Sequence, residues 1–349
     1  MKTKLSMPEF TFLLISRNAS NTILKTIQSI RKLSRGKNIE IILVDDHSED
    51  ATVSMAKPLC DKVLVNKARM GIGFSRQKGL ALASANRVFI IDSDIEITSI
   101  NFKKLDQLFS EGIVAISGSY NSNDNQSNWN KALDLRRKYI YFKDKRVSIA
   151  DKSRYVTFSG GFCVIDIEKI GGIKYFGKKD TSAEDVLFQL KLLHRGLKTA
   201  YSPALVGIHH HHRNTRSFFQ KVMADSVAYP WLMSLCLKNK ISMPVLEQAF
   251  NFPIFLITSF FIPNLQIKLL LLILEFFPQI YILFTERFSP NSIRLLIYAI
   301  AQSLIKVLAC AKDLIFGKYS SSDRILYIKN LLTSDFISKT NWFKQTFIQ

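Results

Sequence analysis

The sequence predicts an open, doubly wound, mostly parallel α/β sheet followed by an α-helical, membrane-associated region. Three observations carry that prediction. From Phe10 to about His212, short apolar runs alternate with amphipathic stretches, as when crossover helices cover parallel strands. Two of these apolar runs end in paired acids, at Asp45-Asp46 and at Asp92-Ser93-Asp94. After Ser234 the composition changes to long stretches that are almost free of charge.

Taken in order, the expected strands are Phe10–Ile15, Ile39–Val44, Lys62–Val65, Val88–Ile91 and Ile113–Ser117. Between the first two, Ile23, Ile27 and Ile30 recur at helical spacing, and Leu80, Leu82 and Ala83 are expected to face a sheet. Beyond Ser234, Gln248–Ile267 carries no charge, Leu269–Thr285 only Glu275, and Leu295–Ala311 only Lys306. Each approaches the ~17–25 residues that cross a bilayer, but Pro253, Pro263 and Pro278 interrupt the first two, which leaves dipping or lying flat open. Helices apolar on every side need lipid or a large core, and the residues left here are few for such a core. The expected division is therefore residues 8–233 for the α/β domain and 234–349 for the helical region.

Of 349 residues, 48 are Lys or Arg and 28 Asp or Glu, for a formal charge of +20. Such a balance suits nucleic acid, anionic lipid or phosphorylated substrates and does not choose among them. The run from Lys131 to Arg154 interleaves basic residues with Tyr139, Tyr141 and Phe142, as a phosphate-tracking groove would. No recognised nucleic-acid motif accompanies it, so no nucleic-acid partner is expected. Cys60, Cys163, Cys236 and Cys310 lie far apart without CxxC spacing, which points to four buried, reduced thiols and away from a metal cluster or a disulfide framework. The apolar run near the start, Phe10–Ile15, is too short for a signal-peptide core, so a cytoplasmic start is expected.

Chemistry concentrates at the strand ends, where ligands bind in open α/β sheets. In Val44-Asp45-Asp46-His47-Ser48 an acid can accept from a base or ribose, and a helix N-cap by Ser48 or Asp46 is the plain alternative. Asp92 and Asp94, two apart on an extended segment, would share a face and approach one Mg²⁺ or Mn²⁺ or a ribose, with an acidic turn as the alternative. The glycines of Gly71-Ile72-Gly73…Gly79 do not fit the dinucleotide fingerprint, which excludes a nicotinamide site and leaves a loosened turn opening a helix, with Arg76 near its start for phosphate or packing. Gly160-Gly161 allows close backbone approach to a ligand. Glu184-Asp185 opens a helix marked by Leu187, Leu190 and Leu193, where the macrodipole favours acids. Among His209 to His212, alternate imidazoles can reach one metal, and one ligand is expected.

Together these motifs resemble the family-2 inverting glycosyltransferases. Ile15-Ser16-Arg17-Asn18, the acids of 44–48, Gly71…Ser75-Arg76-Gln77-x-Gly79, Asp92-x-Asp94, Gly160-Gly161, Glu184-Asp185 and Tyr201-x-Pro203…His209 stand in family order over roughly residues 10–212. The resemblance implies a GT-A fold and transfer of a sugar, with inversion, from a nucleotide-diphosphate donor to a glycan or lipid-linked acceptor. It places Ser16 and Asp46 on the nucleotide, with Gly71 and Arg76 near the donor. Asp92 falls on the ribose or a metal-bound phosphate, Asp94 and His209 on Mg²⁺ or Mn²⁺, and Asp185 in the place of the general base. Gly160, Gly161 and Glu184 support the loop or the acceptor. Arg17 stands where the family often has an aromatic residue and Gln77 where it often has Asn, which leaves the donor open, with uridine diphosphate favoured. No Gln-x-x-Arg-Trp follows the histidines, so one sugar per encounter is expected. The expected setting is the cytoplasmic face of the cell membrane, in contact with membrane lipid, in cell-surface polysaccharide synthesis. The remaining alternatives are a nucleic-acid or anionic-lipid binder and an inactive membrane scaffold.

Overall fold

The computed structural model describes residues 7–121, 128–136, 146–172, 184–210 and 261–316, with isolated positions at 215–216, 220 and 259. The chain divides into two compact units, one of residues 1–124, 144–151 and 156–211 and the other of the remainder. The boundary expected at 233/234 lies outside the described residues, as do most of Gln248–Ile267, Cys236, His211 and His212.

The first unit is built on one nine-stranded sheet. Its strands are β1 (Phe10–Ser16), β2 (Ile39–Asp45), β3 (Lys62–Val65), β4 (Arg87–Asp92), β5 (Ile95–Ile100), β6 (Ile113–Asn121), β7 (Ser148–Ala150), β8 (Phe162–Asp166) and β9 (Lys198–His209). The order is β3-β2-β1-β4-β8-β6-β9-β5, with β7 on β9. One half, β3-β2-β1-β4, is parallel throughout. β8 then runs antiparallel to both β4 and β6, β6 and β9 are parallel, and β5 and β7 pair antiparallel with β9. The sheet is therefore mixed, with the doubly wound parallel half on one side and parallel and antiparallel pairings together on the other.

Burial explains the parallel half. Every residue of β1 is buried, as both faces of a covered parallel strand require. Alternate residues go to opposite faces: Phe12, Leu14, Phe89 and Ile91 pack with Ile23, Ile27 and Ile30 of α1 (Ile23–Leu33), and Leu13, Ile15, Val88 and Ile90 with Phe188 and Leu192 on the other side. Phe12 and Phe89 stack with centroids 4.6 Å apart. After α2 (Thr52–Ala56), α3 (Ile72–Leu82) lies so close to β1 that a Cβ on Gly79 would stand 2.2 Å from Leu13 Cδ1. Leu80 faces the sheet as expected, whereas Leu82 turns to solvent, because the helix ends there and Ala83 is already extended. The unit is completed by α4 (Phe102–Ser110), capped by the Asn101 side chain on the Lys104 N–H, and by α6 (Glu184–His194), which buries Leu187, Leu190 and Leu193.

The second unit contains α5 (Asn128–Arg136), α7 (Leu265–Glu275), α8 (Phe277–Thr285) and α9 (Pro290–Phe316). Asn264 caps α7 through Gln266 and Ile267, and α7 and α8 meet at a 73° bend where Pro278 starts the second helix. Among the described residues one helix, over Pro290–Cys310, is long and apolar enough to cross a membrane, or two if the bent pair counts as one span. Its neighbourhood is arranged apolar side out: Ile293, Ile297, Ile300, Leu304 and Leu308 are exposed at helical spacing, while Glu275, Gln302 and Lys306 are buried. Cys163 and Cys310 are buried as expected, but Cys60 is only partly so, because it follows a short 3-10 turn at the edge of the sheet.

Candidate active site

The ends of β1 and β2 bring Ser16, Asp45 and Asp46 together. Ser16 Oγ donates to Asp45 Oδ1 at 2.7 Å, and the N–H and hydroxyl of Ser48 add two further bonds to the same carboxylate. Asp45, fully buried, thus holds the β2 turn. Asp46 accepts from Asn66 Nδ2 (2.9 Å), the Met70 N–H (2.7 Å) and the Gly71 N–H (2.9 Å). Burial alone would raise its carboxyl, but the Met70, Asn66 and Gly71 donors outweigh burial and hold it below the ordinary carboxylate range. Neither Asp46 nor Ser48 caps α2, whose preceding residue is Ala51. Gly71 precedes α3 at φ +92°, a left-handed value that a side chain would strain, and this turn directs its N–H at Asp46.

The second cluster joins four elements. Arg76, on α3 and 2 % exposed, sends Nη1 to Glu184 Oε1 (2.5 Å) and Nη2 to Asp92 Oδ1 (3.1 Å). The guanidinium therefore faces inward onto two carboxylates, one of them Asp92, the acid expected at the donor. Asp92 ends β4, and its backbone N–H donates to the Gly161 carbonyl at 2.7 Å. Gly161 lies so close that a Cβ there would be 1.9 Å from Asp92 Oδ2. Gly160 donates its N–H to Asp185 Oδ2 at 3.3 Å, and its own Cβ would meet Asp185 Cβ at 2.7 Å. The two glycines thus bring their backbone against the site's own acids. Asp185 is partly exposed at the start of α6, with Oδ1 accepting from the Val186 N–H. Burial, then the neighbouring Asp185, push the Glu184 carboxyl up to about 7, and Arg76 acts in the opposite sense.

Asp94 belongs to a third place. It sits in the two-residue turn between β4 and β5, so the alternation of an extended strand does not extend to it. Its Oδ1 lies 3.0 Å from His209 Nε2, and its carbonyl accepts the His210 N–H. The His209 ring stacks on Tyr120 at 5.4 Å, and Tyr120 Oη bonds Ser159 Oγ at 2.8 Å, beside the glycine loop. His210 pairs with Glu96 instead. Among the described residues no three His, Cys, Asp or Glu side chains gather for a metal. One carboxylate oxygen and one imidazole nitrogen fit a hard cation that completes its shell with water and donor phosphate oxygens, as Mg²⁺ and Mn²⁺ do.

Asn66 and Tyr120 were not singled out by the sequence. Asn66 follows the apolar β3 directly, so its strand-end position was a usable signal. Tyr120 had none, because its contact with Ser159 depends on the pairing of β6 with β8 and β9.

Strand-end acids, a helix-borne carboxylate and a late histidine are arranged along a mixed α/β sheet of the GT-A type. Residues 11–169 match the model of the Glycosyl transferase family 2. The chain is 29 % identical over 91 residues to the succinoglycan biosynthesis protein ExoO of Rhizobium meliloti (strain 1021), a match that spans 25 % of this chain and only 26 % of that relative. In fold it is similar to S. aureus TarS 1-349 in complex with UDP, at 18 % identity and a TM-score of 0.50 over 89 % of this chain and 93 % of that one. A second S. aureus TarS structure is matched at 18 % identity and a TM-score of 0.50, over 87 % of this chain and 55 % of that chain.

Proposed function

We propose that the protein transfers one sugar from a nucleotide-diphosphate donor to a saccharide or lipid-linked acceptor, with inversion, at the cytoplasmic face of the membrane in cell-surface glycan synthesis. The observation that carries this is the placement of Asp92 and Asp185 on either side of the Gly160-Gly161 backbone, a donor acid and a candidate base held by one loop. Ser16, Asp46 and Gly71 form the nucleotide end, and UDP is the first base to test, since a TarS structure of similar fold contains it. Asp94 and His209 would hold Mg²⁺ or Mn²⁺, which when bound neutralises charge on the leaving diphosphate. Asp185 takes the proton from the acceptor hydroxyl as that oxygen attacks the anomeric carbon on the face opposite the diphosphate. The carboxylate keeps that proton, and the nucleotide diphosphate leaves with the electron pair of the broken bond. Gly160 N–H orients the carboxylate for this task.

The outward apolar faces of α7 and α9 and the +20 charge support contact with anionic membrane lipid. Purified full-length protein in detergent, given a panel of UDP- and GDP-sugars with solubilised lipid acceptors, should release one nucleotide diphosphate per sugar transferred. Failure of every donor in the presence of Mn²⁺ would leave a scaffold that retains the fold.

A further inference from the structure

We propose that Arg76 is a positioning residue: by holding Glu184 and Asp92 at once, its guanidinium fixes the start of α6, and with it Asp185, relative to the donor acid. This rests on the roles proposed above for Asp92 and Asp185. The guanidinium reaches partners 108 and 16 residues away in the chain, so it ties α6 and β4 to α3. An arginine that is 2 % exposed is costly to bury unless carboxylates meet it, and here two do, each on its own arm of the planar fork. The same burial leaves no surface on which a donor phosphate could rest.

Several contacts make the clamp stiff. Gly160 has no Cβ, and one would stand 3.0 Å from Arg76 Nη1, so the loop that orients Asp185 is seated directly against the guanidinium. The start of α3 is itself pinned, through Gly71, to Asp46. The nucleotide end, the donor acid and the base helix are thereby joined through Arg76. Removing its charge leaves Glu184 buried beside Asp185 with no cation, a carboxyl that burial already pushes up and that would then take a proton and release its hold.

The test uses the full chain in detergent as Arg76→Gln, Arg76→Lys, Glu184→Gln and the Arg76→Gln/Glu184→Gln pair. Calorimetry with UDP and Mn²⁺ reads donor-end binding, and kcat is measured on the nucleotide sugar that the unaltered protein turns over. Misplacing a catalytic group by about 1 Å can cost about 100-fold, so Arg76→Gln should lower kcat by about that factor while UDP affinity stays within about threefold. Arg76→Lys should recover melting temperature but remain about tenfold or more below full kcat, because a single ammonium cannot hold two carboxylates in the same geometry. The paired variant should be no worse than Arg76→Gln alone. Loss of UDP affinity by about tenfold with kcat intact would make Arg76 a donor contact and overturn the proposal, as would full recovery of kcat by lysine. If Arg76→Gln does not fold, Arg76→Lys and Glu184→Gln carry the same comparison. If the unaltered protein turns over no nucleotide sugar, the glycosyltransferase reading fails separately. The clamp is then judged by thermal unfolding of Arg76→Lys, Glu184→Gln and their pair, where strictly additive losses overturn it and non-additive ones support it.

Discussion

Replacing Gly161 by alanine is the smallest change that reaches the donor acid. The new Cβ would lie 1.9 Å from Asp92 Oδ2 and 2.4 Å from its Cγ, against an ordinary contact of 3.4 Å or more, so the carboxylate must move by about 1.5 Å. It has little room to do so gently, since Oδ1 is held by Arg76 and the Asp92 N–H by the Gly161 carbonyl. Overpacking of this kind costs about 1–3 kcal/mol of stability, a drop of several degrees in melting temperature. The larger effect falls on chemistry, where a displacement beyond 1 Å costs on the order of 10²-fold in turnover. Nucleotide-diphosphate release and differential scanning calorimetry on the same preparation separate the two losses. Turnover within threefold of the unaltered protein would refute the reasoning, because Asp92 would then have no positional demand upon it.

Asp94→Asn keeps the side chain's shape and loses its charge, so it should behave as the unaltered enzyme does in excess chelator, and added Mn²⁺ should restore only the latter; full activity under chelation overturns the cation site. Asp46 has a depressed carboxyl, so its contribution is present above the ordinary carboxylate range and is lost as pH falls through its lowered folded value; Asp46→Asn should melt lower at neutral pH and show a flatter decline at acid pH. Membrane fractionation should find the full chain in the pellet after a high-salt wash and release it only with detergent, and a protein soluble without detergent would make α7 to α9 a soluble core.

How legible the fold was depended on which strands were covered on both faces. β1, β2 and β4 are strongly apolar, β2 and β4 end in acids and β1 in Ser16, and both their existence and their site-bearing ends could be read directly. In the other half only the start of β6, Ile113–Ser117, could be read. β5 alternates only over its first residues and begins one turn after β4, so Ile95 and Ile97 read as the tail of an acidic turn. β9 contains Pro203 in its interior, which argues against a central strand, and it is accommodated where the pairing with β6 shifts register between Ser117 and Ser119. The same missing half hid the site's details. Asp94 meets His209 only because β5 pairs with β9. Nothing in the sequence says that Glu184 lies beside Arg76, so phosphate and packing stood side by side as its roles.

The most direct measurement of the central claim compares turnover with nucleotide binding in Asp185→Asn. Asparagine keeps the shape and one oxygen, which can accept from the Gly160 N–H or from the Val186 N–H but not from both, and it cannot take a proton from an acceptor hydroxyl. General-base catalysis contributes about 10²–10⁴-fold, so transfer from the donor that the unaltered protein uses should fall by that range while calorimetric affinity for UDP with Mn²⁺ stays unchanged within about threefold. A variant that still transfers at a near-normal rate would show that Asp185 only orients the start of α6, and would contradict the account.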